Sequence, residues 1–254
     1  MPTPRVLILR APGTNCDQET AYAFQQCGAE AELLHVNRVL EAPAQLDDFQ
    51  ILCLPGGFSY GDDIAAGRIL GNQFRHHLAE SLGAFKEAGK LVLGICNGFQ
   101  ILLKAGLLLN ETPAGPDATL TWNDSGKFED RWVKLHIVGQ KCVFLRNLTS
   151  LYLPVAHAEG KVVFRDAATQ RQLEQDQQLA VRYAGPNGVA YPWNPNGSVA
   201  HVAGMCDETG RVFGLMPHPE RNVDVTHHPR WTRGDASAVP DGLAIFKNAV
   251  GYFN

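Results

Sequence analysis

Cys96 stands in LVLGICNGFQILL, residues 91–103, with one glycine two positions before it and another two positions after. Leu91, Val92 and Leu93 read as a buried strand, while Phe99, Leu102 and Leu103 share one face of a helix that begins just past the cysteine. The spacing predicts a sharp strand-to-helix turn with Cys96 at its apex, the cysteine form of a nucleophile elbow. Free N–H groups and the positive end of the helix dipole favour thiolate over thiol there. A cysteine taken at random is more often a small buried hydrophobe. Glycines placed where a tight turn has a steric use for them reverse that expectation.

A thiolate nucleophile needs a base, and the base needs a third group to hold its tautomer. Of the nine histidines, His218 is best placed, because GRVFGLM reads as a strand that would deliver it to the functional edge of a sheet. Pro217 and Pro219 fix the backbone on either side. Glu220, two residues on in an extended chain, points the same way and can orient the imidazole. His157 and Glu159 form a rival His-x-Glu in AHAEG, and sequence order alone does not separate the two pairs. The proline bracket favours 218/220, which leaves 157–160 as a loop near the site or at a contact surface. His76/His77 and His227/His228 lack an acidic or cysteine partner at ligand spacing and read as structural or solvated, so no metal is expected. His35, His136 and His201 lie in strand-like runs and read as packed or edge residues. A glycine of the Pro55-Gly56-Gly57 turn can aim an N–H into the site, and with the N–H of Asn97 it would make an oxyanion hole. One such donor is worth roughly 2.7–4 kcal/mol in a transition state. The turn lacks the Walker lysine and GxGxxG spacing, so no nucleotide site is expected.

Positioning these groups falls to alternating strands and helices. Residues 5–10, 31–36 and 50–54 read as strands like 91–93, and a long helix follows the glycine-rich 57–67, with Leu70, Phe74, Leu78, Leu82 and Phe85 on one face. Four strand–helix alternations up to residue 105 predict a mostly parallel central sheet flanked by helices, with ligands beyond the C-terminal strand ends. Glycine-bearing loops at 12–16, 55–61 and 94–98 should all lie at that edge. From about residue 110 the segments ATLTWNDSGKFEDRWVKLHIVG, KCVFLRN, YLPVAHAEGKVVF, QLAVRYAG and SVAHVAGMCDETGRVFGLMP read as antiparallel β-structure added to the parallel core. DGLAIFKNAVGYF reads as a closing helix with Leu243, Phe246, Val250 and Phe253 at helical spacing.

With 254 residues, 45% of them hydrophobic, and a net charge of −4, the chain fits one globular α/β domain spanning 1–254. No apolar run reaches membrane-spanning length, and the start lacks a signal-like segment. Six scattered cysteines without a C-x-x-C pair are expected to stay reduced, which argues for a cytoplasmic protein. Mild acidity without a Lys/Arg cluster gives no reason to expect nucleic acid as a partner.

GICNGFQ, LPGGFSYGDD, the opening APGTNCD, RN followed by AHAEG, NPNGS and MPHPER together resemble the class I (triad) glutamine amidotransferases. Within them the likeness is to the glutaminase subunits of phosphoribosylformylglycinamidine synthase, of purine biosynthesis. It runs from about residue 5 to 221 and returns only in the final helix; residues 222–240 carry no part of it. The family's His-Gly-Glu-Gly stands here as His157-Ala158-Glu159-Gly160. The resemblance implies Cys96 as nucleophile, His218 and Glu220 as its triad partners, Gly57 and Asn97 as oxyanion donors, and Gln100 as a neighbour of bound glutamine. It further implies ammonia passed to a synthase large subunit, which converts formylglycinamide ribonucleotide to the amidine with ATP. ATP and Mg are expected on that partner and no cofactor on this chain. A small third subunit accompanies the synthase in some relatives. The competing readings are a glutaminase serving a different synthase, a cysteine hydrolase acting without a partner, and a non-catalytic binding protein of the same fold.

Overall fold

The longest apolar runs form strands sealed on both faces, as parallel strands under helices must be. The computed structural model describes residues 3–109, 111–113, 115–234 and 239–254. β1 (Arg5–Arg10), β2 (Glu30–His35), β3 (Ile51–Leu54) and β4 (Leu91–Ile95) are mutually parallel, in the order β2-β1-β3-β4, and every residue of β3 and β4 is buried. The crossovers carry α1 (Asp17–Gln26), α2 (Val36–Glu41), α3 (Arg68–Gln73) and α4 (Ala79–Glu87), and β4 runs into α5 (Asn97–Ala105). Asp17 and Glu19 in the first turn of α1 oppose its dipole.

The long helix expected after residue 67 is two α-helices joined by five residues of π-helix, Phe74–Leu78. The reason lies in the sequence. Leu70, Phe74, Leu78 and Leu82 recur every four residues, more than the 3.6 of an α-turn, and the wider π segment keeps them in register. All four, and Phe85, are buried.

The second half extends the same sheet. β5 (Glu111–Thr112) and β6 (Gly115–Pro116) form a small ladder, and β7 (Ala118–Thr121) pairs with β10 (Lys161–Phe164) in another. β8 (Glu129–Ile137), β9 (Ser150–His157), β11 (Val181–Ala184), β12 (Val202–Cys206) and β13 (Val212–Leu215) complete a nine-stranded sheet, β2-β1-β3-β4-β13-β12-β11-β8-β9. β13 is parallel to β4, and pairing beyond it is antiparallel. On β8, Val133, Leu135 and Ile137 are buried while Lys134 and His136 are exposed, the alternation of a sheet with one wet face.

Three expectations need correcting. KCVFLRN is not a strand: Val143–Leu145 form a buried 3₁₀ turn. An unforeseen helix, α6 (Ala167–Gln175), follows Asp166, whose carboxylate caps it by accepting from Thr169 N at 2.7 Å. In α7 (Asp241–Gly251), Phe246 and Val250 are buried as expected, but Leu243 and Phe253 are only partly covered, and Ile245 and Ala249 complete the face. Phe246 meets Phe24 of α1 edge-on at 4.9 Å. Residues 222–240 hold 3₁₀ turns at Val225–His227 and Trp231–Arg233, with 235–238 outside the described residues. Among the described residues no helix is long and apolar enough to cross a membrane.

Candidate active site

The loops that leave β1, β3, β4 and β13 emerge side by side, because these four strands are adjacent and parallel. They carry Cys16, Gly56-Gly57, Cys96 and His218. Phe58 N donates to Gly13 O at 2.9 Å and Cys16 N to Gly56 O at 3.2 Å, so the first two loops are stitched together.

Cys96 takes φ 51°, ψ −103°, a backbone conformation that side chains rarely adopt, and its N–H donates to Leu215 O at 2.8 Å. The strained turn is held by close packing around it. A Cβ on Gly98 would lie 1.9 Å from Leu54 O, and one on Gly94 would lie 2.7 Å from the Gly98 carbonyl. Cys96 is 6% exposed, with Sγ 3.7 Å from Ala156 O.

His218 and Glu220 are both buried, and Nδ1 meets Glu220 Oε1 at 2.5 Å. That contact leaves Nε2, buried and without a partner among the described residues, to face a thiol or substrate. Burial opposes charge on His218, but Glu220, then Cys96, outweigh it and hold the imidazolium well above its ordinary range. An imidazolium paired with a carboxylate beside a cysteine can both stabilise a thiolate and donate a proton to a departing amine.

The rival pair is not a pair. His157 Nδ1 turns to Asn123 Oδ1 at 3.2 Å, away from Glu159. The Asn123 amide donates to Lys127 O at 2.9 Å and His157 O at 2.8 Å, while its Oδ1 also accepts from Gly160 N at 3.1 Å. Nδ1 of His157 is therefore the protonated nitrogen. Burial, with the charge of His218, lowers the pKa of His157 to about 3, so it stays neutral and is a weak base. Ala158 avoids positive φ, so the His-Ala-Glu-Gly loop needs no glycine there, whereas a Cβ on Gly160 would lie 2.4 Å from the His157 ring.

Gly57, at φ 149°, is pressed on the first loop, where a Cβ would come within 2.8 Å of Asn15 N and Gly13 O. Asn97 is the first residue of α5, where the N–H has no carbonyl a turn earlier to accept it. Its side chain does work the sequence did not announce. Oδ1 accepts from Ser59 N at 3.1 Å, and Nδ2 donates to Asp62 Oδ1 at 3.0 Å and Gln100 Oε1 at 2.9 Å. Gln100 Nε2 donates to Glu159 O at 2.6 Å, tying α5 to the 157–160 loop. Beside this network lies a cavity of about 250 Å³ lined by Gly57, Cys96, Gln100, Asp62, His157 and Glu159, with Phe58 and Trp122 at its exposed rim. Burial raises the pKa of the Asp62 carboxyl. A smaller cavity of about 190 Å³ lies against Cys96, His218, Cys16 and Arg221.

Sequence reasoning missed Asn123, Cys16 and Arg221 as parts of this cluster. For Cys16 and Arg221 the signal was their place inside APGTNCD and MPHPER; for Asn123 there was none.

A family model described as a CobB/CobQ-like glutamine amidotransferase domain matches residues 3–253. The chain is 47% identical over 250 residues to the phosphoribosylformylglycinamidine synthase subunit PurQ of Dehalococcoides mccartyi, covering 97% of this chain and 96% of that one. It is 40% identical to the PurQ subunit of Archaeoglobus fulgidus, covering 98% and 96%. A chain in the structure of PurLQS from Thermotoga maritima superposes with a TM-score of 0.76 at 31% identity, covering 100% of both.

Proposed function

The chain belongs to the CobB/CobQ-like glutamine amidotransferase family, and from that premise we propose that it is the glutaminase subunit of phosphoribosylformylglycinamidine synthase. It hydrolyses glutamine to glutamate and ammonia and supplies the ammonia to a synthase subunit, in a complex with a small third subunit. ATP and Mg belong to the synthase, where formylglycinamide ribonucleotide becomes the amidine. The nine-stranded sheet supports reading 1–254 as one catalytic domain. Free thiols at all six cysteines suit a reducing compartment such as the cytoplasm.

In this reading Cys96 is the nucleophile, and His218 with Glu220 completes the triad. The observation that carries it is the buried 2.5 Å contact of His218 Nδ1 with Glu220 in the loop beside the Cys96 elbow. The Cys96 thiolate attacks the carboxamide carbon, and the N–H groups of Gly57 and Asn97 receive the developing oxyanion. His218 passes its proton to the departing nitrogen, ammonia leaves, and a γ-glutamyl thioester remains. His218 then takes a proton from water, which attacks the thioester and releases glutamate. Asp62 and Glu159 give the cavity an anionic wall suited to the ammonium group of a free amino acid, and Gln100 lies beside it.

Glutamate release from glutamine, measured for this chain alone and with the synthase subunits, tests the proposal. Cys96→Ala should abolish it while synthesis from free ammonia persists. His218→Ala should be nearly as severe and Glu220→Ala milder, since triad members act as a unit. Undiminished release from Cys96→Ala would remove Cys96 from the mechanism.

A further inference from the structure

Behind the His218–Glu220 pair lies a layer that the reaction above does not use. Cys16 is 1% exposed. Its S–H faces Asn15 Oδ1 at 3.2 Å, its Sγ accepts from Arg221 Nη2 at 3.2 Å, and it stands 4.0 Å from His218 Nδ1. Arg221 Nε in turn lies 4.0 Å from Glu220 Oε1, the oxygen that His218 already holds. A Cβ on Gly56 would touch both Cys16 Sγ, at 3.1 Å, and His218 Cε1, at 2.8 Å, so thiol, imidazole and glycine turn form one packed layer.

We infer that Arg221, anchored on the Cys16 thiol, is a positioning residue for the Glu220–His218 pair. The inference rests on the triad reading above. A carboxylate with no exposed surface is costly unless more than one group compensates it, and Glu220 Oε2 has no hydrogen-bond partner among the described residues. Arg221 supplies a second positive charge. Its side chain is 37% exposed and has a free path into water, so something must hold the guanidinium inward. Cys16 is that anchor. Burial, aided by Glu220, raises the Cys16 pKa against the pull of His218 and Arg221, so it remains a thiol that accepts from Arg221 without competing with Glu220 for positive charge.

The charged and titratable groups around this layer are Glu220, Cys16 and Glu19 facing Arg221, Asp130 of β8 across the smaller cavity, Cys96 and His157 facing His218, and Cys53 of β3 near Glu220. Removing one positive charge from among them favours protonation of those that remain. The pH–kcat profile for glutamine hydrolysis must then move to higher pH.

The test is kcat and KM for glutamine against pH, in the complex with the synthase subunits. Arg221→Gln should lower kcat on the order of tenfold with little change in KM, and shift the profile upward by about one pH unit. Arg221→Lys should keep the wild-type profile. Cys16→Ser, which retains a donor and an acceptor, should behave like wild type, and Cys16→Ala should reproduce the upward shift. The double variant Arg221→Gln/Cys16→Ala should be no worse than Arg221→Gln alone. An unmoved profile in Arg221→Gln, or additive losses in the double variant, would overturn the inference. Undiminished glutamate release from Cys96→Ala, run in parallel, would instead sink the triad reading beneath it.

Discussion

Two buried histidines border the site and are driven in opposite directions by their neighbours. His218 faces a carboxylate and is held charged; burial, with the charge of His218, lowers the His157 pKa to about 3. The consequences for stability have opposite signs. His218, raised above 6.5, adds stability that is complete below that value and is lost as pH rises through its folded pKa. His157 binds a proton in the unfolded chain below 6.5 but not in the native one until about 3, so native stability falls as pH drops through that window. Between pH 7 and pH 5 the loss assignable to His157 is about 2 kcal/mol. Urea unfolding at both pH values should show that much less acid destabilisation in His157→Gln than in wild type, and equal losses would refute it. The Cys96 turn, its glycines and the His218–Glu220 contact were legible at this scale because small flanking residues and prolines have few other uses. The choice between 218/220 and 157/159 was weakly supported in sequence, since it depends on Asn123, which comes from a distant loop and has no motif around it.

Glycines decide how closely the elements approach. α5 lies against β3 so tightly that Gly98 has no room for a methyl group beside the Leu54 carbonyl, and that contact sets the direction in which Cys96 is presented. Gly98→Ala should therefore lower stability by about 1–3 kcal/mol and depress glutaminase turnover. Gly83, inside α4 with nothing within 4 Å of its added Cβ, is the control: Gly83→Ala should raise stability by about 0.4–1 kcal/mol. Thermal melts of both would check the pair, and equal melting temperatures would contradict the packing argument. Sheet strands and α5 were readable from apolar period, whereas the π segment needed attention to an i+4 spacing that an ordinary helix does not satisfy. KCVFLRN misled because a short buried apolar run looks the same in a strand and in a 3₁₀ turn. α6 was missed because AATQRQLEQ has Leu173 as its one large apolar residue, and its start depends on the Asp166 cap.

For the whole molecule, one sheet changes character at β13. Parallel strands on one side put four loops at a common edge, and antiparallel strands on the other bring the 157–160 loop over the same edge to wall the cavity. The parallel half, and the gathering of its glycine-bearing loops at one edge, followed from the strand–helix alternation; that the antiparallel strands continue the same sheet did not, because strand order is a long-range property. In the proposed reaction the carboxamide carbon of glutamine becomes covalently bound to Cys96. Acid-quenching the complex during turnover of labelled glutamine, then mapping the label on peptides of this chain, measures that most directly. A γ-glutamyl thioester on the peptide that holds Cys96, absent in Cys96→Ala, is the predicted result. Steady glutamate release with label on another residue, or with wild-type and Cys96→Ala peptides equally unlabelled, would contradict it.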